Sequence, residues 1–193
     1  MSDLQRKLLK TLIVGKPNVG KSTLMNFLVE EKVSIVSRKA QTTQKNTTGV
    51  IIKNHSQLIF FDTPGLNRIE KNIRISETFK SVAENVDVLV YMVDNRKKSQ
   101  SIDDEFSSWL NKNESRFRKK ILLVNKIDSI QKVNLFEITK KINEIINFDE
   151  TFFISLSKKS GTESFINWID KQAYSNEWLF QENYKSNVGK KKF

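Results

Sequence analysis

The sequence predicts an α/β fold: a mostly parallel β-sheet covered by helices on both faces. Three observations predict it. Short apolar runs recur along the 193-residue chain, and they are apolar on both faces, as strands buried on both sides are. Between them lie segments whose apolar residues repeat at helical spacing. Only one pair of runs is joined by a connection short enough for an antiparallel hairpin, so the other strands run parallel through helical crossovers.

Residues 11–14 read as the first strand, followed at once by a Gly-rich turn. Residues 21–30 place Leu24, Phe27 and Leu28 at i, i+3 and i+4, a helix. Residues 33–48 are polar, basic and rich in Thr and Ser without a persistent period, and read as a loop. Residues 50–53 and 57–61 read as two strands joined across a tight turn. That turn holds His55, the one histidine, an exposed residue that cannot build a histidine metal site alone. A helix over 76–85, a buried strand over 86–94 and a helix over 102–113 follow, the last with Phe106, Trp109 and Leu110 on one face. Residues 120–124 form another buried strand. Leu135, Ile138, Ile142 and Ile146 mark a helix over 133–146. A strand over 151–155 and a helix over 164–174 complete a three-layer fold, with six strands of which one is antiparallel. From Gln172 the periodicity fades, and 185–193 is lysine-rich. Residues 1–174 are therefore expected to be one domain and 175–193 a basic linker.

With no cysteine, disulfides and thiolate metal sites are excluded and a reducing cytoplasm is the natural compartment. Residues 1–10 lack the apolar core of a signal peptide, and no apolar run approaches the roughly 18 residues of a membrane span. A soluble cytoplasmic monomer is expected. Against 22 acidic residues stand 33 basic ones, a net charge of +11. Such an excess favours an acidic partner, either nucleic acid or an anionic membrane face bound peripherally.

Gly15-Lys16-Pro17-Asn18-Val19-Gly20-Lys21-Ser22 fits G-x-x-x-x-G-K-[ST] between a predicted strand and a predicted helix. Gly15 and Gly20 let the backbone curl so that successive N–H groups converge on phosphate oxygens. The helix beginning near Lys21 adds its dipole and free amides. Lys21 supplies a point charge for the β- and γ-phosphates, and Ser22, followed by Thr23, a hydroxyl for Mg²⁺. Asp62-Thr63-Pro64-Gly65 follows the strand ending at Phe61. Asp62 can hold the Mg²⁺ shell, often through water, while Gly65 can present its N–H to a γ-phosphate with no side chain in the way. In the polar loop, a hydroxyl can complete the Mg²⁺ shell when the γ-phosphate is present. Thr43 is the first candidate and Thr42 the alternative.

Asn125-Lys126-Ile127-Asp128 follows a strand at the carboxyl edge of the sheet, where ligands bind such folds. Asp128 can accept hydrogens from N1 and the exocyclic N2 of guanine, an arrangement adenine lacks. A site of this kind rejects the wrong base by about 10⁴ to 10⁵. Asn125 and Lys126 would tie this loop to the phosphate loop and cover the ring. The motifs together point to a P-loop domain of Ras-like arrangement that takes GTP and GDP.

These residues resemble the Era group of GTPases over nearly the whole chain. Gly15 to Thr23 is close to that group's first motif, and Ser37-Arg38-Lys39-Ala40-Gln41-Thr42-Thr43 resembles its switch loop. Asp62 to Leu66 and Asn125 to Asp128 match its third and fourth motifs, and Ile154-Ser155 its last, whose backbone caps the guanine. Trp178-Leu179-Phe180, followed by Phe193, is similar to the linker leading out of the group's G domain. The chain departs at Gln44, where arginine is usual, and at Leu156, where alanine is usual, with Ser157 next. It also ends where the group continues into a KH domain that binds the 3′ end of small-subunit ribosomal RNA. No KH-type G-x-x-G loop is present, so a fragment or a shortened version is expected.

The resemblance implies a slow GTPase switch in small-subunit maturation, with the small subunit and its rRNA as partners and Ser155, Leu156 and Ser157 near the guanine. Leu66 stands where Ras-like enzymes carry a water-orienting glutamine, and leucine cannot hydrogen-bond water. The group's relatives resemble potassium-assisted GTPases, in which the asparagine equivalent to Asn18 helps hold a K⁺ beside the phosphates. Asn18 reads otherwise as a turn residue. The competing reading is a docking module that holds GTP or GDP with negligible turnover.

Overall fold

The computed structural model describes residues 5–31, 34–37, 47–62, 67–69, 72–74, 76–97 and 100–180. The elements run β1 (Lys7–Gly15), α1 (Lys21–Glu31), β2 (Ser34–Ser37), β3 (Thr47–Lys53), β4 (Ser56–Asp62), β5 (Asn67–Ile69), β6 (Asn72–Arg74) and α2 (Glu77–Ala83). Then come β7 (Val88–Val93), α3 (Asp104–Lys112), β8 (Lys119–Val124), α4 (Lys132–Asn143), β9 (Glu150–Phe153), α5 (Thr162–Gln172) and β10 (Tyr174–Ser175). The main sheet has the order β2-β3-β4-β1-β7-β8-β9, with β10 paired to β1, and β5 and β6 form a separate hairpin. Pairing is parallel from β4 through β1, β7 and β8 to β9, and antiparallel between β2, β3 and β4.

All six predicted strands are present, and β2 and β10 extend the sheet. Ser34–Ser37, expected as loop, pairs with β3 through Ile35↔Val50 and Val36↔Gly49. Four residues are too few for a two-residue period to register in the sequence, and the partner strand supplies what the local pattern lacks. The last helix stops at Gln172, and the two residues after Ala173 turn back to pair with β1 at Leu8↔Tyr174. The strand expected from 86 begins at Val88. Asp87 is occupied instead: its carboxylate accepts from the Lys10 N–H at 2.8 Å and the Tyr174 hydroxyl at 3.1 Å.

The two-residue period of the strands sorts the core into two layers. Leu9 and Ile13 of β1, with Val88, Val90 and Met92 of β7, pack under α1 and α5 through Leu24, Leu28, Phe165 and Ile169. Leu12 and Val14, with Leu89, Tyr91 and Val93, face α2, α3 and α4 through Phe79, Phe106, Leu110, Ile138 and Ile142. Phe106 is fully buried; its ring stacks 5.4 Å from Tyr91 and stands edge-on 6.2 Å from Phe79. Past α5 the chain lies against the amino-terminal end of the sheet. There the Trp178 indole N–H donates to the Lys7 carbonyl at 3.0 Å. Buried Gln57 accepts from the N–H groups of Leu179 and Phe180 and donates to the Phe180 carbonyl. The opposite, carboxyl-terminal edge carries the loops that follow β1, β8 and β9.

Phe106→Ala would leave a void between α3 and β7 that neighbours on three elements cannot fill. It is expected to lower unfolding free energy by about 3–5 kcal/mol, read as a reduced urea midpoint at unchanged slope.

Candidate functional site

The turn between β1 and α1 sits at this carboxyl-terminal edge, where the parallel strands end. Gly15 has φ 149° and Gly20 φ 110°. A Cβ on Gly15 would lie 2.3 Å from the Met92 carbonyl oxygen, and one on Gly20 would lie 2.4 Å from Asn125 Nδ2. Both glycines are therefore demanded by close approach as well as by backbone angle. Asn18 is left-handed at φ 65°, a conformation asparagine tolerates better than most residues. The Lys21 ammonium folds over the turn and donates to the carbonyls of Gly15 at 2.8 Å and Lys16 at 3.0 Å.

Beside it, the Ser22 hydroxyl lies 3.4 Å from Asp62 Oδ2 at the end of β4. Burial pulls the Lys21 pKa below its ordinary value, and the attraction of Asp62 only partly offsets this. Burial likewise pushes the Asp62 carboxyl up, against Lys21 and the Ser22 hydrogen bond. Serine hydroxyl and carboxylate are the hard oxygen donors that suit Mg²⁺.

The loop after β8 closes the other side. Asn125, 2% exposed, gives Nδ2 to the Val19 carbonyl at 2.9 Å and accepts from the Leu156 N–H at 3.3 Å. Lys126, left-handed at φ 63°, reaches the Asn18 carbonyl at 3.0 Å and the buried carboxylate of Asp94 at 2.8 Å. Asp128 is exposed. It accepts from the Ser155 hydroxyl at 2.6 Å and lies 3.4 Å from that of Ser157; the Ser155 bond foremost holds its carboxyl below the usual range. Leu156 is buried in the α1–α5 layer, so the larger side chain is taken up by the core.

One cavity of about 500 Å³ joins these parts, lined among others by Asn18, Lys21, Ser22, Asn125, Asp128 and Leu156. Of the predicted residues, Asn18, Gly20, Lys21, Ser22, Thr23, Asn125, Lys126, Asp128, Leu156 and Ser157 line it, whereas Gly15, Lys16, Pro17, Val19, Asp62 and Ser155 stand outside its lining. Thr42, Thr43, Gln44, Thr63, Pro64, Gly65 and Leu66 lie outside the described residues, as does everything from 181 to Phe193. The connection between β7 and α3 holds no recognised motif, yet it touches the loop through Arg96, Ser101 and Asp103. Arg96 Nη2 donates to the Pro17 carbonyl at 3.0 Å, and Lys16 Nζ donates to Ser101 at 2.6 Å. An acid closing a fully apolar strand, with arginine two residues on, was the one available signal.

Residues 10–126 match the model of the 50S ribosome-binding GTPase family. The chain belongs to that family. Its relatives include GTPase Era of Bradyrhizobium diazoefficiens, 34% identical over 178 residues, covering 91% of this chain and 57% of that protein. Era of Bradyrhizobium sp. strain ORS 278 is 38% identical over 153 residues, covering 78% of this chain and 49% of its own. The chain spans about half the length of the curated relatives it matches. Among solved structures, this GTPase-family chain aligns at TM-score 0.68 and 34% identity with Era in complex with MgGDPNP and nucleotides 1506–1542 of 16S ribosomal RNA. That match covers 92% of this chain and 61% of the other. A point variant of Aquifex aeolicus Era bound to GDP.AlF4- aligns at TM-score 0.71 and 33% identity, covering 95% and 62%. The resemblance to the Era group read from the motifs holds across the chain.

The charges of this GTPase-family site make a stability prediction. The Asp62 pKa in the folded chain lies above its ordinary value of about 4. Stability linked to that proton is therefore present below about pH 4 and lost as pH rises through the raised value. At neutral pH the half-buried carboxylate is a net cost. Asp62→Asn is expected to raise the Tm of the nucleotide-free chain at pH 7, with the gain shrinking toward pH 4. A gain independent of pH would contradict the burial account.

Proposed function

We propose that the chain binds GTP and GDP with Mg²⁺, hydrolyses GTP slowly, and acts as a switch in maturation of the small ribosomal subunit. The observation that carries this reading is the cavity that joins Asn18, Gly20, Lys21, Ser22 and Thr23 to Asn125, Lys126, Asp128, Leu156 and Ser157. Phosphates fit beside the curled loop and Lys21; the guanine edge fits at Asp128, whose two oxygens retain lone pairs beyond those used by the serine hydroxyls. Ser22 and Asp62 would hold Mg²⁺, which supplies charge neutralisation at the phosphates when bound.

By sequence position, Thr43, with Thr42 as the alternative, joins that shell, and the Gly65 N–H meets the γ-phosphate. Thr63, Pro64 and Leu66 flank the same phosphate. The division into a nucleotide-binding body over 1–174 and a basic linker over 175–193 belongs to this reading. Leu66 in place of a water-orienting glutamine supports slow turnover, and a K⁺ held near Asn18 would raise it by neutralising developing charge. Similarity to an Era bound to 16S rRNA, with a net charge of +11, supports small-subunit rRNA as partner.

Phosphate release from GTP is the deciding assay. Release should be slow, faster in KCl than in NaCl at equal ionic strength, and reduced at least about a hundredfold in Lys21→Ala. Release indifferent to Lys21 would remove the enzyme reading and leave a docking module. The ribosomal step is read by sedimentation with purified small subunits. Retention is expected to be greater with a non-hydrolysable GTP analogue than with GDP, and to weaken steeply with salt; equal retention with both nucleotides would remove the switch.

A further inference from the structure

We propose that Arg96, anchored by the buried carboxylate of Asp94, is a positioning residue that orients the backbone amides of the phosphate loop; the inference rests on the nucleotide-binding reading above. Asp94 follows β7 and is fully buried. A buried carboxylate needs cationic partners, and among those of Asp94 are Arg96 Nε and Lys126 Nζ, each at 2.8 Å. The Arg96 backbone N–H adds a bond at 3.0 Å.

Both cations reach on into the phosphate loop. Arg96 Nη2 donates to the Pro17 carbonyl and Lys126 Nζ to the Asn18 carbonyl, each at 3.0 Å. Asn125 holds the Val19 carbonyl, and Lys21 holds those of Gly15 and Lys16. Every carbonyl from Gly15 to Val19 therefore has a donor. No described peptide bond is cis, and across a trans peptide the following N–H points opposite to the carbonyl. Tying the Pro17 carbonyl to Arg96 turns the Asn18 N–H away from Arg96, which does not line the cavity. Amides fixed on the side opposite their carbonyl donors are what an anion nest requires.

Arginine is the residue type this job needs. Its planar fork meets the Asp94 carboxylate with Nε while Nη2 meets the Pro17 carbonyl, which holds carboxylate and carbonyl at one fixed spacing; the Lys126 ammonium spans Asp94 and Asn18 through a single atom and imposes no such plane. The same β7–α3 connection also grips the loop through Ser101 and Asp103, which lie 2.6 and 3.6 Å from Lys16 Nζ.

The test uses the full chain and measures Kd for GTP and for ITP, which lacks the 2-amino group, with thermal melts alongside. Arg96→Ala is expected to weaken both nucleotides about five- to tenfold, as loss of a half-exposed charge-assisted hydrogen bond should. The GTP/ITP ratio should stay unchanged, while the Tm falls because buried Asp94 loses one of its cations; Arg96→Lys, which keeps that charge, should recover the Tm. Arg96→Lys should not restore binding, and Asp128→Ala should give the opposite signature, a collapsed ratio. Binding by Arg96→Ala within about twofold of wild type, binding that recovers together with the Tm in Arg96→Lys, or a shifted ratio each overturns the inference alone. A wild-type chain that binds neither nucleotide overturns the nucleotide reading and this inference with it.

Discussion

The side-chain amide of Asn125 is the contact on which the rest of the site depends. It leaves the carboxyl end of β8, donates to Val19 in the loop after β1, and accepts from Leu156 in the loop after β9. Three loops that are far apart in sequence are thereby held by one buried group. Leaving either end of such an amide unpaired costs about 1–3 kcal/mol, so the loops hold or loosen together. The parallel register makes this possible, since Gly15↔Met92, Val93↔Val124 and Val124↔Phe153 bring the strand ends level. Gly20 completes the fit, because any Cβ there would occupy the place of the Asn125 nitrogen.

A second buried amide does similar work at the far end of the sheet. Gln57 uses both its oxygen and its nitrogen on the backbone of Leu179 and Phe180. The segment after α5 is therefore fastened to β4 by hydrogen bonds of fixed direction, and Arg6 covers the Trp178 ring at 5.1 Å. β4 begins beside this fastening and ends at Asp62, and its seven register pairs with β1 leave no slack between the two. Apolar packing alone would allow sliding along the strand; directional bonds at one end and a continuous ladder do not.

Much of this could be read from the sequence because the signals are local. Gly15 to Ser22 carries its own geometry, and β7 and β8 announce themselves as apolar runs of β-branched residues and leucine. The convergence of Asn125 and Asp128 on the phosphate loop follows once the sheet is parallel. What could not be read depends on distant partners. Ser34–Ser37 is a strand only because β3 pairs with it, and Tyr174–Ser175 only because the edge of β1 opposite β4 is left free at Lys7 and Leu8, ahead of the β7 pairing that starts at Thr11. Asp94 and Arg96 offer in the sequence only an acid at the end of an apolar strand with an arginine two residues on; their roles appear when the fold places Pro17 and Lys126 around them. Leu156 read as a departure from the group's alanine, and its accommodation is a matter of core volume invisible to any motif.

The charges at the phosphate end explain why such a site is built for a ligand rather than for its own stability. Lys21 and Asp62 are both more than half buried, and each is pushed by burial toward its neutral form. Their mutual attraction opposes that push without cancelling it. Lys21 donates to the carbonyls of Gly15 and Lys16, dipoles that offer only part of a negative charge. Asp62 has the Ser22 hydroxyl at 3.4 Å, near the limit of a useful hydrogen bond. Two partly buried groups of opposite sign are complementary to the polyanion and divalent cation of the proposed ligand. Folding energy released elsewhere, in the two apolar layers, keeps them where such a ligand can reach both.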